Sequence, residues 1–129
     1  MMIGMSAAIA QGVMGATIDV DVWVDLPPRQ YMRVLNVART TGAVIAANTV
    51  VYLEDGTPVN FVYQVTGLRS FESELQHTHR MRLRGWEGPV LDLARIQASK
   101  QAIGRDKDLL HIRLISDFLR CRENLGPEG

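Results

Sequence analysis

Residues 16–26 read ATIDVDVWVDL, and the conformation of this stretch decides how the rest of the chain is arranged. Val20, Val22, Trp23 and Val24 are β-formers, and the run predicts a strand over 18–24. Successive side chains of a strand point to opposite faces, so Asp19 and Asp21, two apart, project from the same one. Like charges this close repel. A wet sheet face accommodates them, which is the plain reading. The chemical reading is a bound divalent cation, because Mg²⁺ takes hard oxygen ligands and is held by one or two carboxylates together with substrate phosphates. A D-x-D pattern is common by chance, so its surroundings have to decide.

Upstream, Ser6 to Val13 reads as a helix of small residues, broken by Gly12 and Gly15. Downstream, Pro27-Pro28 opens a helix in which Tyr31, Val34, Leu35 and Ala38 recur at helical spacing and which Gly42 ends. Residues 49–53 and 59–65 are β-rich and flank EDGT, a turn cluster, so they read as a hairpin. TGLRSFESEL predicts a loop and a short helix. THRMRLRG alternates, placing Arg80, Arg82 and Arg84 on one strand face. A turn over 85–88 leads into the short strand PVLDL. Helices follow over 93–103 and from Asp106 to about Cys121, the second with an apolar stripe of Leu109, Ile112, Ile115 and Leu119. The element order predicts an α+β (mixed α/β) domain, a small mixed sheet with helices packed on one side.

At 129 residues the chain suits one domain, expected over 1–125, with a disordered tail at 126–129. Hydrophobic residues at 47% and charged residues at 22% are a globular composition, and no apolar run is long enough for a membrane span. Basic and acidic side chains number 14 each, which argues against nucleic-acid binding by bulk charge. The opening MMIGMSAAIAQGVMGA is apolar but lacks a basic n-region, so it makes a poor signal peptide. The lone Cys121 fits a reducing compartment, and a cytoplasmic location is expected.

Four stretches in order, IGMSAA (3–8), ATIDVDVWVDLP (16–27), VVYLEDGTPVNFVYQVTGL (50–68) and VLDLARIQASKQAIGRDKDLLHI (90–112), resemble the minimal nucleotidyltransferases of the DNA polymerase β-like superfamily. Bacterial antitoxin- and abortive-infection-type members are the nearest in pattern. The resemblance implies the nucleotidyltransferase fold and runs from Gly4 to Leu119. It implies that Gly4 and Ser6, at a helix start, face a triphosphate, that Asp19 and Asp21 bind Mg²⁺, and that Lys100 and Lys107 in the late basic run contact the nucleotide. A nucleoside triphosphate, with ATP as the first choice, is the implied partner, and a protein, RNA or small-molecule hydroxyl the acceptor.

The pattern departs from the family at Asn60, which stands where active members carry a third carboxylate beside the other two. An amide offers a metal an oxygen but cannot act as a general base. Met5 replaces a second glycine, and the chain begins almost on the first motif, so either the domain is shortened or its start lies upstream. The rival expectation is therefore a catalytically weak or inactive relative that acts as a binding partner, such as one half of a toxin–antitoxin pair. Plainer readings stand beside these. Gly4 and Ser6 can serve as a helix cap, and Lys100, Arg105, Lys107 and Asp108 as a solvated helix junction. The arginine strip can be a wet sheet face. His77 and His79 lack further ligands for zinc. Oligomeric state is left open.

Overall fold

A computed structural model describes residues 1–83 and 86–125. The described elements, in chain order, are β1 (Met2–Ile3), α1 (Gly4–Ala10), β2 (Val20–Trp23), a 3-10 turn (Pro28–Gln30) running into α2 (Tyr31–Thr40), β3 (Val44–Ala47), β4 (Val50–Tyr52), β5 (Pro58–Val62), α3 (Phe71–Leu75), β6 (Thr78–Leu83), β7 (Trp86–Leu91), α4 (Leu93–Ile103) and α5 (Asp106–Leu125). The seven described strands form one sheet in the order β3-β4-β5-β2-β1-β7-β6. β2 and β5 run parallel, as do β1 and β7, and the remaining neighbours are antiparallel. The α+β class and mixed sheet expected from the sequence are what the chain adopts.

The pivotal strand forms where expected, and the hairpin of β4 and β5 turns at the predicted cluster, with Asp55 Oδ1 accepting from the Thr57 amide at 2.9 Å. α2 stops at Thr40, and Gly42, two residues on, has φ +87°, a conformation that suits the chain's departure from a helix. α4 spans the predicted residues and is closed by Gly104 in the left-handed region. α5 runs past Cys121 to Leu125, because its last turn continues with the helix-compatible residues Arg122 and Glu123. Two strands have little sequence signal. β1 is two residues long, and β3 contains two alanines; both exist because neighbours offer a ladder, Met2 opposite Val22 and Ile45 opposite Val51. Arg84, the last position of the arginine strip, Gly85 and the tail at 126–129 lie outside the described residues, and Trp86 to Gly88, expected as a turn, are instead β7 strand because they pair with Leu83, Arg82 and Met81 of β6.

Strand alternation divides the core. Ile3, Trp23 and Leu91 pack with Leu93 and Ile96 of α4, Ala7 and Ala8 of α1 and Ile115 of α5 in the larger cluster. Trp23 also meets the Phe71 ring edge-on, with centroids 5.4 Å apart. The neighbouring residues Val20 and Val22 point the other way and pack with Val51, Val59 and Phe61 against Tyr31, Leu35 and Ala38 of α2. Helices thus stand on one side over much of the sheet, as the element order suggests, while α2 takes the opposite face because β2 is apolar on both.

Glu74 of α3 is fully buried, and Arg95 of α4 grips both of its oxygens at 2.7 Å. The Arg69 amide donates to the same carboxylate at 2.8 Å. The pair ties α3 to α4 across the end of β7. Among the described residues, no helix is long and apolar enough to cross a membrane.

Candidate functional site

A cleft of about 260 Å³ opens between the central strands, at Ile3, Asp21, Asn60 and Leu91, and helices α4 and α5. Its floor and walls bring together Gly4, Asp21, Asn60, Lys100, Arg105 and Asp108, with the segment from Gln64 to Leu68 as a further wall. This site is assembled by parallel pairing. β2 and β5 are in register with Asp21 opposite Asn60, so the two side chains share a face, and Asn60 Nδ2 lies 3.4 Å from Asp21 Oδ1.

Gly4 begins α1 with φ +66°, and a Cβ built there would lie 2.6 Å from Asp21 Oδ2. Glycine is needed twice over, for the backbone conformation and for the carboxylate's space. Gly4→Ala is expected to lower stability by about 1–3 kcal/mol and to displace Asp21; thermal unfolding and the Asp21 carboxyl chemical shift check it. Ser6 has a different part. Its hydroxyl donates to the Ile3 carbonyl at 2.9 Å and accepts from the Asp21 amide at 3.2 Å, so it fastens α1 to β1 and β2 and is spent on backbone partners. Ser6 is buried and is not among the cleft-lining residues. α1 has seven residues, which leaves little aligned helix dipole behind its first turn.

Asp19 is exposed, one residue before β2. Burial is the main cause that pushes the Asp21 carboxyl above its ordinary pKa, and the charge of Asp19 adds to it. The hydrogen bond from Asn60 and the charges of Lys100 and Lys107 act in the opposite sense. Asp21 is thus a half-buried carboxylate whose ionised form gains from any added cation. Among the described residues, no group of three or more His, Cys, Asp and Glu side chains is placed to hold a metal ion. Mg²⁺ asks for less, since one or two carboxylates suffice when a phosphate supplies the other oxygens. Asp21 supplies one such carboxylate in the cleft, whereas Asp19 does not line it and reaches Asp21 through its charge; Asn60 can add its amide oxygen by turning about the last side-chain bond.

Across the cleft, Lys100 is nearly buried on α4, with Nζ 3.5 Å from Asp108 Oδ1 and 2.9 Å from His111 Nδ1. Asp108 is fully buried and is taken up mainly by Arg105, whose Nε and Nη2 donate at 2.6 and 3.2 Å and whose amide donates at 3.2 Å. These bonds from Arg105 hold the Asp108 carboxyl below its ordinary range, against the opposing effect of burial. Burial lowers the Lys100 pKa, and Asp108 works against that. Lys107 is exposed on the first turn of α5 and does not line the cleft; its charge still reaches Asp21. The junction is solvated over residues 101–107, while the Lys100 and Asp108 that flank it are buried and paired with each other, Asp108 also with Arg105.

Sequence reasoning passed over His111 and the Gln64–Leu68 wall. The histidine lies eleven residues from its lysine on another helix, and only the antiparallel packing of α4 on α5 joins them. The wall had one local sign, Gly67, whose φ of +82° and close seat on Ser99 and Ala102 of α4 leave no room for a side chain. Elsewhere, His79 pairs with Asp92 at 2.9 Å, and Arg80 and Arg82 both face Glu87, at 3.8 and 3.5 Å. Glu54 and Asp55 stay in the hairpin turn, away from the cleft lining. No family model matches the sequence, and a search of curated proteins finds no match.

Proposed function

We propose that this chain is a nucleotidyltransferase-like protein of the cytoplasm whose cleft binds a nucleoside triphosphate, ATP for example, together with Mg²⁺, and serves transfer of the nucleotidyl group to a hydroxyl acceptor. The observation that carries this reading is the in-register meeting of Asp21 and Asn60 beside the side-chain-free Gly4, with Lys100 on the opposite wall. A half-buried carboxylate, Asp21, on one side and the Lys100 ammonium on the other suit a metal-bound polyphosphate. Asp19 and Asp21 would hold Mg²⁺, which when bound neutralises phosphate charge and polarises the phosphorus that is attacked. Lys100 draws in and orients a phosphate oxygen. In the transfer, the acceptor oxygen bonds to the α-phosphorus, the bond from that phosphorus to the bridging oxygen breaks, and pyrophosphate leaves. The acceptor proton passes to solvent water, since Asn60 cannot act as a base.

That same residue favours a second reading, a slow or inactive relative that works by binding a protein or RNA partner, as toxin–antitoxin modules do. Calorimetry with ATP tests the shared part: affinity is expected to depend on Mg²⁺ and to fall about 100-fold or more in Asp19→Ala and Asp21→Ala. The fold of Asp19→Ala should be intact, because an exposed charge contributes little stability. Unchanged affinity in both variants overturns the proposal. Mass spectrometry after incubation with ATP, Mg²⁺ and co-purifying proteins separates the readings, a nucleotidyl adduct marking the enzyme.

A further inference from the structure

We propose that His111 is a positioning residue of the cleft, holding the Lys100 ammonium where a bound phosphate meets it and releasing it on taking up a proton; this rests on the nucleotide-binding reading above. An ammonium group has three donors and no acceptor, so the 2.9 Å contact requires a lone pair on His111 Nδ1 and a neutral ring protonated at Nε2. Asp108, at 3.5 Å, is the second partner and a divided one, since Arg105 already occupies both of its oxygens. With those two contacts made, one Lys100 donor is left for the cleft that the side chain lines. The ring is thus the closest group that fixes where this ammonium sits.

The charged groups acting on His111 are Lys100 from α4, Asp108 and Lys107 from its own helix, and Arg105 from the junction, three cations against one anion. Burial chiefly, and Lys100 next, lower its pKa, so the ring is neutral near pH 7. Protonation would remove the acceptor and set two cations against each other at the same contact. Lys100 then withdraws toward Asp108, and the cleft loses an oriented donor.

The test measures Mg²⁺-ATP affinity of the wild type, His111→Ala and His111→Gln at about pH 7.5 and at an acid pH where the NMR signal of the His111 ring shows it protonated. Glutamine keeps an acceptor that does not titrate. At the higher pH, His111→Ala is expected to bind about tenfold more weakly, and His111→Gln within about threefold of wild type. On acidification the wild type should lose about tenfold more affinity than His111→Gln. Protonation of ATP and of the carboxylates is common to both proteins and cancels in that ratio. Equal losses in the two proteins overturn the proposal, and this comparison stands even if His111→Ala fails to fold. A wild type that does not bind Mg²⁺-ATP at either pH overturns the nucleotide-binding reading, and the role of His111 with it, a result distinct from equal losses.

Discussion

Glu74→Ala is expected to destabilise the fold by about 1.5–3 kcal/mol, because the fully buried carboxylate loses its charged hydrogen bonds to the part-exposed Arg95. Arg95 would lose both of its 2.7 Å bonds, and the Arg69 amide its acceptor, so α3 would come loose from α4. Urea unfolding of the variant against wild type measures it, and a change under about 1 kcal/mol would show that the pair carries no stability. The same pair sets an acid response. Hydrogen bonds from Arg95 chiefly, and from the Arg69 amide, hold the Glu74 carboxyl below its ordinary value, with burial opposing. A group whose folded pKa is depressed stabilises fully above its unfolded pKa and loses that stabilisation as pH falls through the folded one. Asp108 behaves alike, its pKa lowered by Arg105. Stability should therefore decline as pH drops below about 4.5, and Glu74→Gln should flatten part of that decline in a series of unfolding curves.

Asn60→Asp is expected to raise nucleotidyl transfer by roughly 10²-fold. The substitution puts a carboxylate opposite Asp21 on the adjacent parallel strand, where Asn60 Nδ2 now sits 3.4 Å from Asp21 Oδ1. It supplies a base for the acceptor hydroxyl and a negative ligand for Mg²⁺, and it exchanges a hydrogen-bond donor for repulsion. In metal-free buffer the variant should melt below wild type. Mg²⁺ should restore the difference, since a ligand held only by the folded state stabilises it. Rates from labelled ATP and melting curves with and without Mg²⁺ decide the matter together. A variant that gains neither activity nor Mg²⁺ affinity removes Asn60 from the reaction, and a wild type that already transfers rapidly removes the binding-only reading.

What could be read from the chain, and what could not, follows the range of the forces involved. The periodicity of Val20, Val22 and Trp23 marks β2, and the span of α4 follows from its apolar spacing and Gly104, because strand and helix patterns are local. The hairpin of β4 and β5 was legible for the same reason: its turn chemistry lies in four adjacent residues. β1 and β3 were not, since runs of two or four residues are too short to show a period of two and take their strand structure from a partner's ladder.

The candidate site divides along the same line. Asp19, Asp21 and Asn60 were visible as residues; strand alternation expected the aspartates on one face, but β2 starts at Val20 and leaves Asp19 exposed ahead of it, outside the cleft lining. That Asn60 meets Asp21 depends on the parallel register of β2 and β5, which are 39 residues apart in sequence. Ser6 and Gly4 looked alike as parts of a helix start; packing made one a fastener of the backbone and the other a space kept for Asp21 Oδ2. Lys100 and Lys107 looked equivalent as well, and the packing of α4 on α5 turned one into the cleft while leaving the other in water. Composition and periodicity act over a few residues and so dictate the elements, whereas the pairing of charges depends on which distant elements bury their apolar faces together. Asp21, Asn60, Lys100 and His111 become one site only after that burial has set the order of the strands and the seat of the last two helices.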